Sequence, residues 1–238
     1  KSVQLDPQDA KAHNNLAIIL LLQSRLEEAE TSLRQAIKLK PDLAEAHNNL
    51  GIIFQKHRKF TEACSAYIQA INFNPDFTDA YENLGMVIKK VRFNSSNVEL
   101  YPLLIRLLSI GNFVRPRDLA SSILSLLKHD PLIKNLLLEK NFATNLKEAN
   151  FIIGSLDKLK LLHHLMRVCP LPDLQFERFF VTMRNLLLKN LDNIEASPEF
   201  IYFLSTLSLH CFTNEYVYFE KEEETELIKR LEADIVQT

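Results

Sequence analysis

The sequence contains very little glycine: four residues in 238, no two of which lie within two positions of each other. Nucleotide-binding turns need closely spaced glycines, because backbone N–H groups at a helix N-terminus must approach a phosphate without an intervening Cβ. The chain also lacks a G-x-S-x-G, an H-E-x-x-H and a P-loop motif. These absences argue against a nucleotide cofactor, and we expect no cofactor in this chain.

Cysteine and net charge are also low. Cys64, Cys169 and Cys211 are far apart and form no C-x-x-C pair, so we expect reduced thiols, a cytoplasmic location and no zinc site. The formal net charge of −2 gives no basic field for nucleic acid or an anionic membrane. His163 and His164 are adjacent, which places them about 100° apart on a helix and suits packing better than joint metal ligation.

What the chain does contain is an internal repeat. Pro7, Pro41 and Pro75 are spaced 34 residues apart, and each is followed by a similar block: Ala10-Lys-Ala-His-Asn-Asn-Leu-Ala17, Ala44-Glu-Ala-His-Asn-Asn-Leu-Gly51 and Thr78-Asp-Ala-Tyr-Glu-Asn-Leu-Gly85. A period of this length is typical of helix–turn–helix solenoids, whose stacked repeats present an extended concave surface to a partner. The period therefore indicates a binding function for this part of the chain.

Small and large apolar residues alternate within each repeat. Closely packed helices need small residues at their contact points and large residues between them, so that ridges on one helix fit grooves on the next. The small positions are Ala17, Gly51, Gly85, Ala29, Ala63, Ala36 and Ala70. The large positions are Leu16, Leu50, Leu84, Leu20, Phe54, Ile88, Leu33 and Tyr67.

Proline and acidic residues mark the ends of the predicted helices. The repeated prolines stop the preceding helix, because proline lacks an N–H donor and clashes with the turn before it. Asp42 with Glu45, and Asp76 with Asp79, have the spacing of capping boxes that begin the next helix.

The period, the small positions and the terminal prolines together resemble the tetratricopeptide repeat. The resemblance covers residues 1–94 and implies the end of one repeat, two full repeats and the first helix of a third. It also implies a protein or peptide partner in the concave groove. Because Ser2-Val-Gln-Leu-Asp-Pro7 aligns with Ala36-Ile-Lys-Leu-Lys-Pro41, and no initiating Met is present, we expect the chain to be a piece of a longer array.

Residues 98–238 have helical patterns that do not repeat. Asn94-Ser-Ser-Asn97 stands where a third repeat would need its second helix, and it has the composition of a turn. Amphipathic stripes separated by prolines follow, the first being Leu100, Leu103, Leu104, Leu107 and Leu108. We predict an all-α fold: a tetratricopeptide-repeat helical solenoid followed by a non-repetitive helical bundle acting as a linker or cap. The apolar run 200–219 contains too many polar side chains for a membrane span and predicts a buried helix.

Three segments of this second half form an ordered set: Leu161-Leu-His-His-Leu165, Phe176-Glu-Arg-Phe-Phe-Val-Thr-Met-Arg184, and Leu209-His-Cys-Phe-Thr-Asn-Glu-Tyr-Val-Tyr218 followed by Glu222-Glu-Glu224. The set resembles the helical segment that links tetratricopeptide repeats to an S-adenosylmethionine-dependent methyltransferase domain in bacterial proteins. The resemblance implies that a catalytic domain follows beyond Thr238 and that this chain is not itself an enzyme.

Asparagine recurs at one phase of the predicted first helices, as Asn14, Asn15, Asn48, Asn49 and Asn83. Asparagine is a mediocre helix former, so its recurrence needs a reason. One interpretation is a ladder of amides that bond the backbone of an extended peptide, and Asn15, Asn49 and Asn83 fit it best because all three repeats share that column. The other is that duplication copied the asparagines, or that they bond between helices.

The His-Asn-Asn-Leu-Gly stretch also resembles the repeats of O-GlcNAc transferases, in which an asparagine ladder holds the substrate polypeptide. Our first hypothesis is a non-catalytic protein–protein interaction module that recruits a polypeptide for a larger bacterial methyltransferase. The alternatives are the repeat segment of an O-GlcNAc-transferase-like glycosyltransferase and a free-standing scaffold.

Overall fold

The computed structural model describes residues 7–110, 114–138, 146–190 and 197–213. Within these ranges the chain forms 12 α-helices and one short 3₁₀-helix, and no strand occurs. The predicted all-α fold is therefore confirmed. The chain divides into two compact units, which we call the repeat unit (residues 1–91 with 112–114) and the helical unit (residues 92–111 with 115–238).

The repeat unit is built from five helices that pack in sequential pairs. They are α1 (Ala10–Leu22), α2 (Leu26–Leu39), α3 (Ala44–Lys56), α4 (Phe60–Phe73) and α5 (Thr78–Ile88). Each helix contacts the next one in the chain, and α3 also contacts both α1 and α5. Because α1, α3 and α5 are the first helices of successive repeats, this pattern is the stacked arrangement of a helical solenoid.

The alternation of small and large residues produces the core of the repeat unit. All the small alanines of the predicted pattern are fully buried. Leu33 and Tyr67 are also fully buried, and they fill the space beside the small positions. At Gly51 the fit is so close that an added Cβ would lie 2.5 Å from Cε1 of Tyr67. The packing predicted from the sequence is confirmed at these positions.

The helix starts differ from the sequence prediction. The capping boxes predicted for α3 and α5 are wrong, because both helices begin after an apolar residue, Leu43 or Phe77, that makes no side-chain capping bond. Leu43 is buried in the core, so packing takes precedence over capping at this position. Only α1 among the repeat helices has a side-chain cap, in which Asp9 accepts from the backbone N–H of Lys11 at 2.8 Å.

The turns within the two complete repeats share an unusual backbone. Ser24 and Arg58 have φ angles of 59° and 60°, in the left-handed region that favours glycine. In both turns the next residue donates its backbone N–H five residues back, from Arg25 to Leu20 and from Lys59 to Phe54, each at 2.9 Å. Each turn therefore carries a non-glycine residue at a cost of roughly 1 kcal/mol.

The first helix of the helical unit is a 3₁₀-helix over Val98–Leu100. The α-helices of this unit are α6 (Tyr101–Ile110), α7 (Pro116–Leu127), α8 (Pro131–Leu138), α9 (Leu146–Leu156), α10 (Lys160–Val168), α11 (Leu174–Lys189) and α12 (Pro198–Thr213). Helix α10 contacts α6, α7 and α12, so it lies at the centre of the bundle.

The helix predicted within the apolar run 200–219 corresponds to α12. Phe200, Phe203 and Leu207 are almost fully buried along one of its faces, whereas positions 214–219 lie outside the described residues. The distinctive Asn214–Tyr218 stretch and the acidic triplet 222–224 also lie outside them. No helix of the described ranges is long and apolar enough to cross a membrane.

Candidate functional site

The first helices of the repeats bring the predicted asparagines together, but at two depths. Asn14 and Asn48 are buried, at 7% and 6% exposed, whereas Asn49 and Asn83 are half-buried and Asn15 is exposed. The two members of each Asn-Asn pair are about 100° apart around their helix, which gives them different surroundings. The two asparagine columns are therefore different in character.

The buried and half-buried asparagines bond to each other across repeats. The side-chain N–H of Asn49 donates to Oδ1 of Asn14 at 2.9 Å, and that of Asn83 donates to Oδ1 of Asn48 at 3.0 Å. Both bonds join residues 35 positions apart, so one bond is repeated at each junction between first helices. One N–H and both acceptor positions of Asn49 and Asn83 are not used in these bonds.

A row of apolar side chains runs beside the outer asparagine column. Ile18, Ile52 and Met86 each follow an asparagine of that column by three residues, which places both rows on the same faces of α1, α3 and α5. Ile18 is 39% exposed and Met86 is 41% exposed, and Ile52 is half-buried. The two rows together form the surface that we call the groove.

The groove deepens to a cavity of about 630 Å³ between α3, α4 and α5. Its polar lining consists of Gln55, Lys56, Arg58, Asn83 and Lys90, and Ile52 and Phe60 supply the apolar wall. None of these lining residues is acidic. This part, which we call the basic end of the groove, has a local charge opposite to the chain's net charge of −2.

A buried tyrosine orients one amide at the basic end. The hydroxyl of Tyr67 donates to Oε1 of Gln55 at 2.9 Å, which leaves the side-chain NH₂ of Gln55 as its remaining polar group with donors. Burial raises the pKa of the Tyr67 hydroxyl, so the group keeps its proton and remains a donor. The core of the second repeat therefore fixes the orientation of the Gln55 amide at the basic end.

Two histidines of the repeats, His13 and His47, have a structural role. Nε2 of His13 lies 3.0 Å from the carbonyl oxygen of Pro7, and Nε2 of His47 lies 2.8 Å from that of Pro41. Each imidazole N–H thus bonds the loop that precedes its own helix, six residues back. This contact fastens the proline turn to the following helix.

The polar groups buried in the helical unit are suited to packing rather than to chemistry. His163 is 1% exposed and stacks against Tyr202 with ring centroids 4.9 Å apart, whereas His164 is half-buried and bonds Ser109 at 3.2 Å. Burial raises the pKa of the Cys169 thiol to about 11, which keeps this thiol protonated and poorly nucleophilic. In the described part of the chain, no three His, Cys, Asp or Glu residues are grouped closely enough to hold a metal.

The apolar row and the basic end were not predicted from the sequence. A signal for both was nevertheless present, because Ile18, Ile52 and Met86 are 34 residues apart, and so are Lys56 and Lys90. Columns that repeat at the period of a solenoid lie on neighbouring helices at equivalent positions. Columns of this kind therefore indicate a candidate binding surface in the same way as the asparagine columns do.

Comparison with known proteins identifies the repeats. Models described as tetratricopeptide repeat match residues 1–31 and 44–77, and a model described as TPR repeat matches residues 19–57. No curated protein is significantly similar to the chain.

Two solved structures are similar to the chain at low identity. YrrB, described as a TPR protein with an unusual peptide-binding site, is 14% identical with a TM-score of 0.40, over 91% of this chain and 92% of YrrB. PilF of Pseudomonas aeruginosa is 17% identical with a TM-score of 0.39, over 85% of this chain and 84% of PilF. The family models match tetratricopeptide repeats within residues 1–77, and with the stacked helices they support a protein-interaction role for the repeat unit.

Proposed function

We propose that the repeat unit binds an extended polypeptide along the groove and catalyses no reaction itself. The observation that carries the proposal is the pair of parallel rows, amides beside apolar side chains, on α1, α3 and α5. An extended peptide presents backbone polar groups and side chains at a regular spacing, so it matches two such rows at once. The partner-binding role of Asn15, Asn49 and Asn83 is part of this proposal.

The inner asparagines have a different role in this scheme. Asn14 and Asn48 accept the bonds that hold Asn49 and Asn83, and they thereby fix the orientation of two amides at the groove surface. An amide held in place loses less side-chain entropy when it binds a ligand. Asn14 and Asn48 therefore act indirectly, by orienting Asn49 and Asn83, whereas the exposed Asn15 would contact the peptide itself.

We place this module in a larger bacterial methyltransferase, where it would recruit a polypeptide to the catalytic domain in the cytoplasm. The support is the ordered set of segments in the helical unit, of which Leu161–Leu165 and Phe176–Arg184 belong to α10 and α11. The gene that encodes this chain provides the test. An open reading frame that continues into a methyltransferase domain supports this placement, and one that ends or continues into another domain contradicts it.

Peptide binding is tested with a random peptide library displayed on phage and selected on the 238-residue chain. The groove variant combines Asn15→Ala, Ile18→Ser and Met86→Ser, which change exposed side chains and break neither interhelical bond. Phe73→Ser is the matched control, since Phe73 is 44% exposed on α4 and lies outside both rows.

The groove variant should bind the selected peptides about tenfold more weakly or worse, because several contacts are lost together. The control should bind them like the original chain. Equal losses in both variants, or a selection that enriches no peptide, would rule out the groove as a peptide site.

A further inference from the structure

The geometry of the basic end points to a specificity: it selects an acidic residue, aspartate or glutamate, in the bound peptide. This inference rests on the proposed peptide-binding function and states which side chain the groove prefers. It concerns Gln55, Lys56, Arg58 and Lys90, which lie around the cavity between α3, α4 and α5.

The polar groups that a ligand meets at the basic end are mainly donors. The ammonium groups of Lys56 and Lys90 and the guanidinium of Arg58 have no acceptor atoms, and Gln55 already uses its Oε1 to accept from Tyr67. A carboxylate has only acceptors and accepts charge-assisted hydrogen bonds, which are the stronger kind. The cavity is therefore complementary to a carboxylate in both charge and hydrogen bonding.

Within the described ranges, none of these three cations forms an ion pair with a carboxylate. The ion pairs found among the described residues are Arg25–Glu28, Arg34–Glu30, Arg117–Asp118 and Lys128–Asp173. Lys56 ends α3 and Lys90 lies two residues beyond the end of α5, where the helix dipole favours a positive charge but supplies no full counter-ion. A ligand carboxylate would provide that counter-ion.

Two features hold the cations at the cavity. Nζ of Lys90 lies 5.2 Å from the ring centroid of Phe60, a cation–π contact that restricts the long side chain. Arg58 occupies the turn between α3 and α4 with a φ of 60°, where glycine would be less strained. The φ of Ser24 is nearly the same, so this backbone belongs to the turn, and it brings Arg58 to the edge of the cavity.

A peptide carboxylate fits the site better than a nucleic acid does. Ile52 and Phe60 form an apolar wall beside the cations, and the asparagine row leads away from the cavity along the groove. Three cations in a chain with a net charge of −2 make a small basic patch, whereas a polyphosphate backbone needs an extended one. In a peptide with an acidic side chain next to apolar residues, the carboxylate would pair with the cations and the apolar residues would pack against the apolar wall.

The test uses peptides selected from the displayed random library on the 238-residue chain, each compared with its Glu→Gln or Asp→Asn counterpart. Two variants weaken the basic end: Lys56→Gln and Arg58→Gly. Their matched controls are Lys38→Gln, an exposed lysine of α2, and Ser24→Gly, which makes the same backbone change in the equivalent turn of the first repeat.

We expect the selected peptides to be enriched in acidic residues flanked by apolar ones, and neutralising the acidic residue should weaken binding about tenfold. Lys56→Gln and Arg58→Gly should each lose most of that difference, whereas the two controls should retain it. Arg58→Gly and Ser24→Gly should both unfold at or above the temperature of the original chain, because glycine relieves the turn.

Peptides that need Asn15, Ile18 and Met86 but bind equally well with glutamine in place of glutamate would overturn the acidic preference alone. A selection that enriches no peptide would overturn the groove function and the preference together. Displacement of an acidic peptide by an equimolar oligothymidylate would also count against the preference, since it would show that any polyanion is accepted.

Discussion

The two units of this chain bury polar groups in different ways. In the repeat unit one arrangement is used twice: Asn49 bonds Asn14, and Asn83 bonds Asn48, at the same separation in sequence. In the helical unit some buried polar groups bond in pairs that do not recur, such as the hydroxyl of Tyr101 donating to Oδ2 of Asp130 at 2.9 Å. A hydrogen-bond arrangement that recurs in each repeat produces a period in the sequence, and an arrangement that occurs once does not.

The same difference applies to small residues. In the repeat unit, glycine and alanine occupy fixed buried columns, and at Gly51 the neighbouring helix leaves no room for a Cβ. In the helical unit, Gly154 lies on the exposed face of α9, and an added Cβ would meet nothing within 4 Å. A buried glycine is therefore required by close helix packing at position 51 but not at position 154, and changing each glycine to alanine tests this difference.

The largest expected effect is that of Gly51→Ala. The new methyl group would lie 2.5 Å from the ring of Tyr67, which is fully buried. We expect a loss near the upper end of the roughly 1–3 kcal/mol that overpacking costs. Gly154→Ala should instead stabilise the chain by about 0.5–1 kcal/mol, because alanine is the better helix former at an exposed position. Urea unfolding of both variants measures the difference.

A second substitution shows whether the clash is the cause. Tyr67→Leu in the Gly51→Ala background removes the ring that the methyl group meets, so the double variant should recover part of the loss relative to the sum of the single changes. Strict additivity of the two changes would mean that the ring does not cause the effect of Gly51→Ala. The small-residue column would then need another explanation.

The second-largest expected effect is a loss of stability at acidic pH, caused by His210 in the helical unit. Burial lowers the pKa of His210 from 6.5 to about 4, although a hydrogen bond to the backbone of Met166 partly opposes the shift. Above pH 6.5 the histidine is neutral in both the folded and the unfolded chain. Between pH 6.5 and 4 only the unfolded chain gains the proton, so stability falls by about 1.4 kcal/mol per pH unit. At pH 5 the expected loss is about 2 kcal/mol.

The control for this effect is His210→Gln, which cannot titrate. Its unfolding free energy should change less between pH 7 and pH 5 than that of the original chain, even if its stability at pH 7 is lower. Burial lowers the pKa of His163 as well, so a smaller acid sensitivity should remain in the variant. Identical pH dependence in the two chains would show that His210 contributes nothing to it.

Periodicity explains how much of this molecule could be predicted from the sequence. The repeats, their small positions and the all-α fold follow from columns that recur every 34 residues. The capping boxes of α3 and α5 were predicted wrongly because the spacing of Asp42 and Glu45 does not show that Leu43 is buried before the helix. Local polar patterns are unreliable where an apolar neighbour determines the backbone path.

The candidate site was only partly predictable for a related reason. An asparagine column has the same period whether its amides bond a peptide or the next helix, so the shared column favoured Asn15 over Asn14 but did not show that Asn14 is buried. Their depths depend on how α1 packs against its neighbours, which is a tertiary property. The single arrangements of the helical unit, such as Tyr101 with Asp130, have no period and could not be predicted at all.

The smallest expected effect separates the two asparagine columns. Asn49→Ala removes the donor to Asn14, whose Oδ1 is then left without this partner inside a buried side chain, at a cost of about 1 kcal/mol. Asn15→Ala removes an exposed amide and adds a better helix former, so stability should stay the same or rise by a few tenths of a kcal/mol. The two changes have the same chemistry in the same column of successive repeats. If Asn15→Ala weakens peptide binding without destabilising the chain, the outer column (Asn15, Asn49 and Asn83) binds the ligand, and the inner column (Asn14 and Asn48) orients the outer one. If Asn49→Ala is as harmless to stability as Asn15→Ala, the interhelical bond contributes nothing, and the asparagines would be copies kept by duplication.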